Sequence, residues 1–375
     1  MKFAHISDLH IGKIMSKKSL EDDQRYILNE IVKICIDEGV DGILIAGDIF
    51  DDGTSISNEA TRILDDFLTD LSEKSITVFM ISGNHDSMDK VNYLSRLLKS
   101  KQMYISGTFS GKADRIPFTK DGQTVDVYLL PFIRPGHVKR AYPDADIENY
   151  EDAIECVLAN SELSDHKRIL VAHQMVFSGS RIPELSDSES SHIGGLEAVS
   201  ASIFSDFDYV ALGHIHSPMN MGSDKIRYCG APLKYAVSKK ERDKSVTIVD
   251  VGETVSWYTV PLKPLRDVRF VTGTLEEIIA RGKEDPDKDD YIGALIEGNA
   301  INPMPRIREV YPNALFLDSV KPGQSQGAMH IETTLEDLDA MKEFEKFFKG
   351  KTGEDLTDSQ RKLIRDLFDA IGVVL

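Results

Sequence analysis

The sequence predicts an α/β protein with a two-sheet α/β sandwich over residues 1–262, a small α+β cap over 263–330 and a helical pair over 331–375. Three observations carry this. The first half alternates short apolar runs with amphipathic stretches of helical period. A series of β segments with few helices then runs to about residue 262. After "PLKPLRD" the alternation restarts on a smaller scale and ends in two further stretches of helical spacing. At 375 residues the chain exceeds one average domain, and its 41% hydrophobic and 28% charged content is that of an ordinary globular protein.

In order, "KFAHIS" is a short apolar strand, and "SLEDDQRYILNEIVKICIDEG" places Ile27, Ile31 and Ile34 at helical spacing before stopping at Gly39. "DGILIAGD" is a buried strand, "SNEATRILDDFLTDLSEK" a helix capped by Ser57 or Asn58, and "ITVFMISGNHD" a third strand. Three such β-α repeats imply a parallel sheet covered by helices. "IPFTKDGQTVDVYLLPF" is a hairpin turning at "KDGQ". A helix near 150–160, the strand "RILVAHQ", a long polar loop and the strand "FDYVALGHIH" follow. "IRYCGAP", "SVTIVDV" and "SWYTVPL" complete the sandwich. The cap reads β-α-β-α-β, and the tail reads as two amphipathic helices.

The net charge is −18, which argues against a protein that coats nucleic acid by electrostatics alone. An enzyme with a local basic path or bound cations remains compatible with it. No apolar run approaches the roughly 18 residues of a membrane span. The N-terminus meets charge at Asp8, so no signal peptide is expected. Cys35, Cys156 and Cys229 are scattered, which fits free thiols in a reducing compartment and favours the cytoplasm.

Ligands in α/β sheets collect at the carboxyl ends of strands. Here "HISDLH" delivers Asp8 and His10, "IAGD" Asp48, "SGNHD" Asn84 and His85, "LVAH" His173, and "ALGHIH" His214 and His216. Each piece alone is usually incidental: a turn, or a satisfied core histidine. Together they place half of the ten histidines at strand ends, and five separate ends each deliver Asp, His or Asn. Asp8 and His10, like His214 and His216, are spaced i, i+2, which in extended backbone points both side chains to one face. Oxygen and nitrogen ligands without thiolate suit manganese, iron or zinc and exclude a cysteine-rich structural zinc. One aspartate placed for sharing suggests two ions, with Asn84 as a neutral ligand and His85 facing a scissile phosphate.

D-x-H, G-D, G-N-H-D, H and G-H-x-H in this order resemble the calcineurin-like metallophosphoesterases. "HISDLHIGK", "AGDIFDDG", "ALGHIHSP", "YCGAPLKYAVSKKERDKSVTIVDV" and the tail resemble in particular their SbcD-type nuclease branch. The resemblance implies a sandwich of the metallophosphoesterase type and a metal-dependent DNA nuclease with 3′→5′ exonuclease and endonuclease activity. It implies two divalent ions, manganese first, with iron, zinc and magnesium open. Asp8, His10, Asp48 and His216 would hold one ion, and Asp48, Asn84, His173 and His214 the other. His85, Asp51 and Asp86 form the expected catalytic set, with His85 acting on the phosphate. Archaeal and eukaryotic members carry a second histidine where this chain has Asp51. An ionised acid cannot donate to phosphate, so Asp51 is expected to orient His85 or a ligand.

The implied partners are an SbcC-type coiled-coil ATPase, DNA and a second nuclease subunit, with no membrane. Phe344, Phe347, Phe348, Leu363, Leu367 and Phe368 are the expected anchors of ATPase docking on the tail. Lys13, Lys17, Lys18, Lys239, Lys240 and Arg242, with Lys234 and Lys244 nearby, are the candidate DNA contacts, being close in sequence to the metal motifs. Two other classes stand beside this. A phosphodiesterase for small molecules would not need residues 263–375, and a non-catalytic scaffold would not need every ligand.

Overall fold

A computed structural model describes residues 1–189, 197–298 and 300–320, and in the tail 344–345, 348, 355–357 and 359–364. β1 (Lys2–Ile6) is followed by α1 (Glu21–Asp37) and by β2 (Gly42–Ala46), which lies parallel to β1. The Ser57 hydroxyl accepts from the Ala60 N–H at 2.9 Å and starts α2 (Asn58–Glu73). β3 (Thr77–Ile81) and β4 (Met103–Ser106) extend the parallel set. The runs GILIA and TVFMI are buried throughout, as strands covered on both faces must be.

β5 (Asp114–Lys120) and β6 (Gln123–Leu130) form the expected hairpin, whose Asp121 and Gly122 have φ of 51° and 77°. α3 (Tyr150–Ala159) and β7 (Lys167–Ala172) follow, then β8 (Tyr209–Leu212), β9 (Met219–Met221) and β10 (Ser223–Tyr228). β11 (Ser245–Val251) and β12 (Val255–Pro261) return to the first sheet. The two six-stranded sheets have the orders β12-β11-β1-β2-β3-β4 and β9-β10-β8-β7-β6-β5. Both are mixed rather than purely parallel. β11, β12, β5 and β9 run antiparallel to their neighbours.

Alternation along β1, β2 and β3 sends Phe3, Leu44 and Phe79 into an apolar layer shared with Val127, Ile169 and Ala211 of the facing sheet. Ala4, Ile43 and Val78 face the opposite way, onto Ile31 of α1 and Phe67 of α2. Ile154 of α3 covers the second sheet. Face-to-face packing brings the carboxyl ends of β1, β2, β3, β7 and β8 to one rim.

β13 (Val268–Gly273), α4 (Leu275–Glu284), β14 (Tyr291–Glu297), a helix at Pro303–Arg308 and β15 (Ala314–Val320) build a parallel three-stranded sheet around Val271, Ile278 and Ile307. In the tail, Phe344 and Phe348 pack with Leu356 and Ile364, and Leu363 is exposed. Phe347, Leu367 and Phe368 lie outside the described residues. Among the described residues no helix is long and apolar enough to cross a membrane.

Candidate metal centre

Asp8 and His10 stand beyond the end of β1, with φ of 53° and 43°; Asp48 and His214 follow at 50° and 94°. The i, i+2 spacing therefore does not act through extended backbone, as its periodicity suggests, but through left-handed turns. Each such residue costs on the order of 1–3 kcal/mol unless its surroundings hold it. The ladder between β1 and β2 supplies that hold by continuing past both strands: Asp8 N–H donates to Gly47 O (3.0 Å), His10 N–H to Asp48 O (3.0 Å) and Ile11 N–H to Ile49 O (2.9 Å).

Two glycines let the loops close together. A Cβ on Gly83 would stand 2.1 Å from Oδ1 of Asp48, and one on Gly213 would stand 2.0 Å from the Ala46 carbonyl oxygen. The Gly in "SGNHD" and the Gly in "ALGHIH" are thus demanded by the approach of neighbouring strand ends.

All seven expected ligands converge. Asp48 Oδ2 lies 3.6 Å from Nε2 of His10 and 3.3 Å from Nε2 of His173. Nε2 of His10 and Nε2 of His216 are 3.1 Å apart. Asn84 Oδ1 lies 3.0 Å from both His173 Nε2 and His214 Nδ1. The His214 N–H donates to both carboxylate oxygens of Asp8 (3.0 and 3.2 Å). Asp8, His10, Asp48, His173 and His216 are all at most 3% exposed.

The donor chemistry fits a cation. Nδ1 of His173 donates to Ala46 O at 2.7 Å, so its Nε2 faces Asn84 Oδ1 and Asp48 Oδ2, two acceptors. Only a proton or a metal ion among these atoms removes the repulsion. Burial opposes charge on His173, but the Asp48 carboxylate outweighs it and lifts the imidazole to about 9. Burial would likewise raise Asp48, yet His173 drives its carboxyl well below the usual range. Burial raises the Asp8 carboxyl and holds His216 well below its ordinary value, His10 adding to the latter. Nδ1 of His10, 3.2 Å from Asp51 Oδ1, lacks hydrogen-bond geometry and is left without a bond. Three overlapping sets could hold an ion: Asp8, His10 and His216; Asp8, Asp48 and His173; His10, Asp51 and His85.

His85 hangs beside this cluster. Its ring Nδ1 is 3.0 Å from the Asp51 carbonyl oxygen, which fixes the proton on Nδ1 and leaves the lone pair on Nε2. The Asp51 carboxylate points elsewhere, to His10 and to Nζ of Lys13 (2.8 Å). Burial opposes ionisation of Asp51, but these contacts hold its carboxyl at about 2. Asp86 accepts from the N–H groups of Ile49 (3.1 Å), Phe50 (2.9 Å) and Gly83 (2.8 Å), pinning the β2 loop to the β3 loop. Burial, then Asp48, raises it to about 6.

Several contributors carry no motif. Ser188 Oγ is 2.7 Å from His216 Nδ1, and Glu189 accepts from the His216 N–H at 2.5 Å. Tyr235 stacks edgewise on His10 and His216. Gln24 donates to His10 O at 2.6 Å. A signal for Gln24 does exist: it is a polar residue on the apolar face of α1.

The basic candidates divide. Lys17, Lys18 and Arg242 are exposed, and Lys239 lies over the Phe270 ring. Lys13 is taken by Asp51 and Lys240 approaches Asp187 (3.3 Å). Lys234 pairs with Asp267 (2.8 Å). Lys244 is buried, donating to His216 O (3.0 Å) and Glu241 (2.8 Å), which removes it from the surface group its sequence neighbours suggest.

Residues 1–218 match the family model of the calcineurin-like phosphoesterases. Residues 262–352 match that of the type 5 capsule protein repressor C-terminal domain, also designated the SbcD C-terminal domain. The SbcD subunits of the SbcCD nucleases from Staphylococcus epidermidis and Staphylococcus saprophyticus are each 32% identical over 380 residues, spanning 99% of this chain and 99% and 98% of their own lengths. A dimetal phosphatase from Danio rerio is similar over 71% of this chain and 98% of its own, at 13% identity and a TM-score of 0.39.

Proposed function

The chain belongs to the calcineurin-like phosphoesterase family, in the branch of the SbcD nuclease subunits, and from that premise we propose that it is a metal-dependent nuclease cutting the phosphodiester bonds of DNA. Its activities are 3′→5′ exonuclease and endonuclease at DNA ends and hairpins, exercised with an SbcC-type ATPase in repair and recombination. The observation that carries this is Asp48 standing between His10 and His173, at the junction of two ligand sets.

One ion belongs to Asp8, His10, Asp48 and His216, the other to Asp48, Asn84, His173 and His214; manganese suits this mixed oxygen and nitrogen set. Two divalent ions, when bound, supply positive charge against the phosphate and lower the pKa of water. The chain does the rest. Nε2 of His85 stabilises the phosphate charge or passes a proton to the leaving oxygen, oriented by the Asp51 carbonyl. Asp51 orients His85 through its carbonyl, its carboxylate standing 3.2 Å from His10 Nδ1, and Asp86 acts as a positioning residue by locking two loops.

A chain of net charge −18 needs help to hold a polyanion. Lys17, Lys18, Lys239 and Arg242 supply local cations, and the ATPase, docked on the C-terminal helices, supplies the remaining affinity. Exposed Tyr93, Leu94 and Leu97, beside an apolar groove lined by Leu64 and Leu68, support pairing with a second copy. The free thiols of Cys35, Cys156 and Cys229 support a cytoplasmic location.

The test is hydrolysis of a nitrophenyl phosphodiester and of linear duplex DNA in manganese, with and without a coiled-coil ATPase. Chromogenic hydrolysis by the chain alone and ATP-stimulated cutting of duplex in the complex are expected. Chromogenic hydrolysis with duplex DNA intact under every condition would support a small-molecule substrate instead. Deleting residues 335–375 should abolish ATPase association while sparing the chromogenic activity.

A further inference from the structure

α1 and the segment after β10 each present two consecutive residues that look in opposite directions. On α1, the buried carboxylate of Asp23 takes Nε and Nη2 of Arg266 at 3.0 and 2.5 Å and the hydroxyl of Tyr291 at 2.8 Å. Both partners belong to the C-terminal sheet or the segment entering it. Its neighbour Gln24 spends its whole amide on the loop after β1: Oε1 accepts from Gly12 N–H (2.9 Å), and Nε2 donates to Leu9 O (3.2 Å) and His10 O (2.6 Å).

The second pair repeats this. Nζ of Lys234 donates to Asp267 (3.1 Å) and Val268 O (3.3 Å) at the start of β13, while the hydroxyl of the adjacent Tyr235 donates to Leu9 O (2.5 Å). So two separate elements each tie the 266–268 segment to the Leu9–His10 turn. A cavity of about 170 Å³ opens at the same junction, bordered by Asp23, Lys234, Arg266 and Tyr291, and the polar ties cross it beside the apolar contacts of Leu20, Leu233 and Val268. The turn they reach is the left-handed one, whose geometry depends on outside support.

We propose that the pairs Asp23–Gln24 and Lys234–Tyr235 couple the pose of the C-terminal sheet to the position of His10, making Asp23, Lys234 and Arg266 positioning residues for the ion that His10 holds. A shift of the C-terminal sheet then loosens one ion and leaves its neighbour, held through Asn84, His173 and His214, in place. The proposal rests on the dimetal reading of the site and deepens it.

The experiment measures manganese stoichiometry and affinity by titration calorimetry, with Mn²⁺ electron paramagnetic resonance, on the full chain. Lys234→Met keeps an apolar stem and leaves only a half-exposed Asp267 behind. The double change Asp23→Asn with Arg266→Gln avoids stranding a buried carboxylate. Both should weaken one of two ions by about 10–100-fold, the usual effect of losing a partner behind a ligand. The second ion should keep wild-type affinity, and Lys234→Arg should restore the first. Arg269→Gln, which breaks ties to Asp285 and Asp290 inside the C-terminal sheet, is the control and should leave both ions unchanged. Two ions at wild-type affinity in the folded variants, or both weakened alike, overturns the coupling. A wild-type chain that takes up no pair of ions overturns the dimetal reading itself, and the coupling with it.

Discussion

The backbone N–H of His85 donates to Oδ1 of Asp48 at 2.9 Å, so the residue proposed to act on the phosphate hangs from the carboxylate that stands between His10 and His173. Asp48→Ala should therefore strip both ions and abolish nuclease activity together. Elemental analysis of the purified variant decides this. One ion still held at full stoichiometry contradicts a shared carboxylate.

His85→Ala should behave differently. The ring lies outside the two proposed ligand sets, so both ions should stay, while turnover on DNA should fall about 10²–10⁴-fold. Turnover and metal content are measured on the same preparation. Lost metal with unchanged activity per bound ion would reverse the assignment.

Gly83→Ala places a methyl group 2.1 Å from Oδ1 of Asp48. Overpacking of this kind costs about 1–3 kcal/mol. The Asp48 carboxylate and the Asp48 backbone nitrogen, 2.4 Å from the same methyl, both have to move, so metal affinity and the melting temperature should fall together. Thermal melts with and without manganese separate the two: the manganese-dependent stabilisation should shrink in the variant.

Acid should weaken the fold through His5. The ring is fully buried, bonded to the Tyr209 hydroxyl (2.9 Å) and to Leu212 O (3.2 Å). Burial first, and the Arg227 charge second, lower its pKa from 6.5 to about 3. The unfolded chain thus takes up a proton that the folded chain refuses. The contribution of neutral His5 is complete above pH 6.5 and is lost as pH falls from there towards 3, an upper limit of roughly 5 kcal/mol. Urea midpoints between pH 7.5 and 4 should fall more steeply in the wild type than in His5→Gln. Equal slopes would contradict this.

The sequence made the strand ends legible because parallel strands bury apolar runs and release polar residues at one end, as in "ILIAGD" and "LVAH". It did not reveal how the ends are used. Asp51 meets His85 with its carbonyl and Lys13 with its carboxylate, and no residue type signals that division. Left-handed turns at Asp8 and His10 escape a rule built on extended backbone. Ser188 and Glu189 reach His216 from a polar loop without periodicity. Short elements such as Met88–Val91 and Met175–Phe177 complete no period and leave no pattern. The antiparallel return of β11 beside β1 depends on contacts between residues 2–5 and 247–250, a separation invisible to any local window.

That return has a consequence for how the protein is made. His10 and His216 meet across 206 positions of chain, and β1 has no partner on its outer side until β11 arrives. A ribosome that has released only the first β-α repeats has therefore produced an open sheet edge and neither ligand set in full, lacking His173, His214 and His216. The nascent polypeptide cannot cut DNA until His216 and β11 have been made. Hydrolytic power comes late and all at once, when the second sheet docks, so a product that stops short of that point is chemically silent.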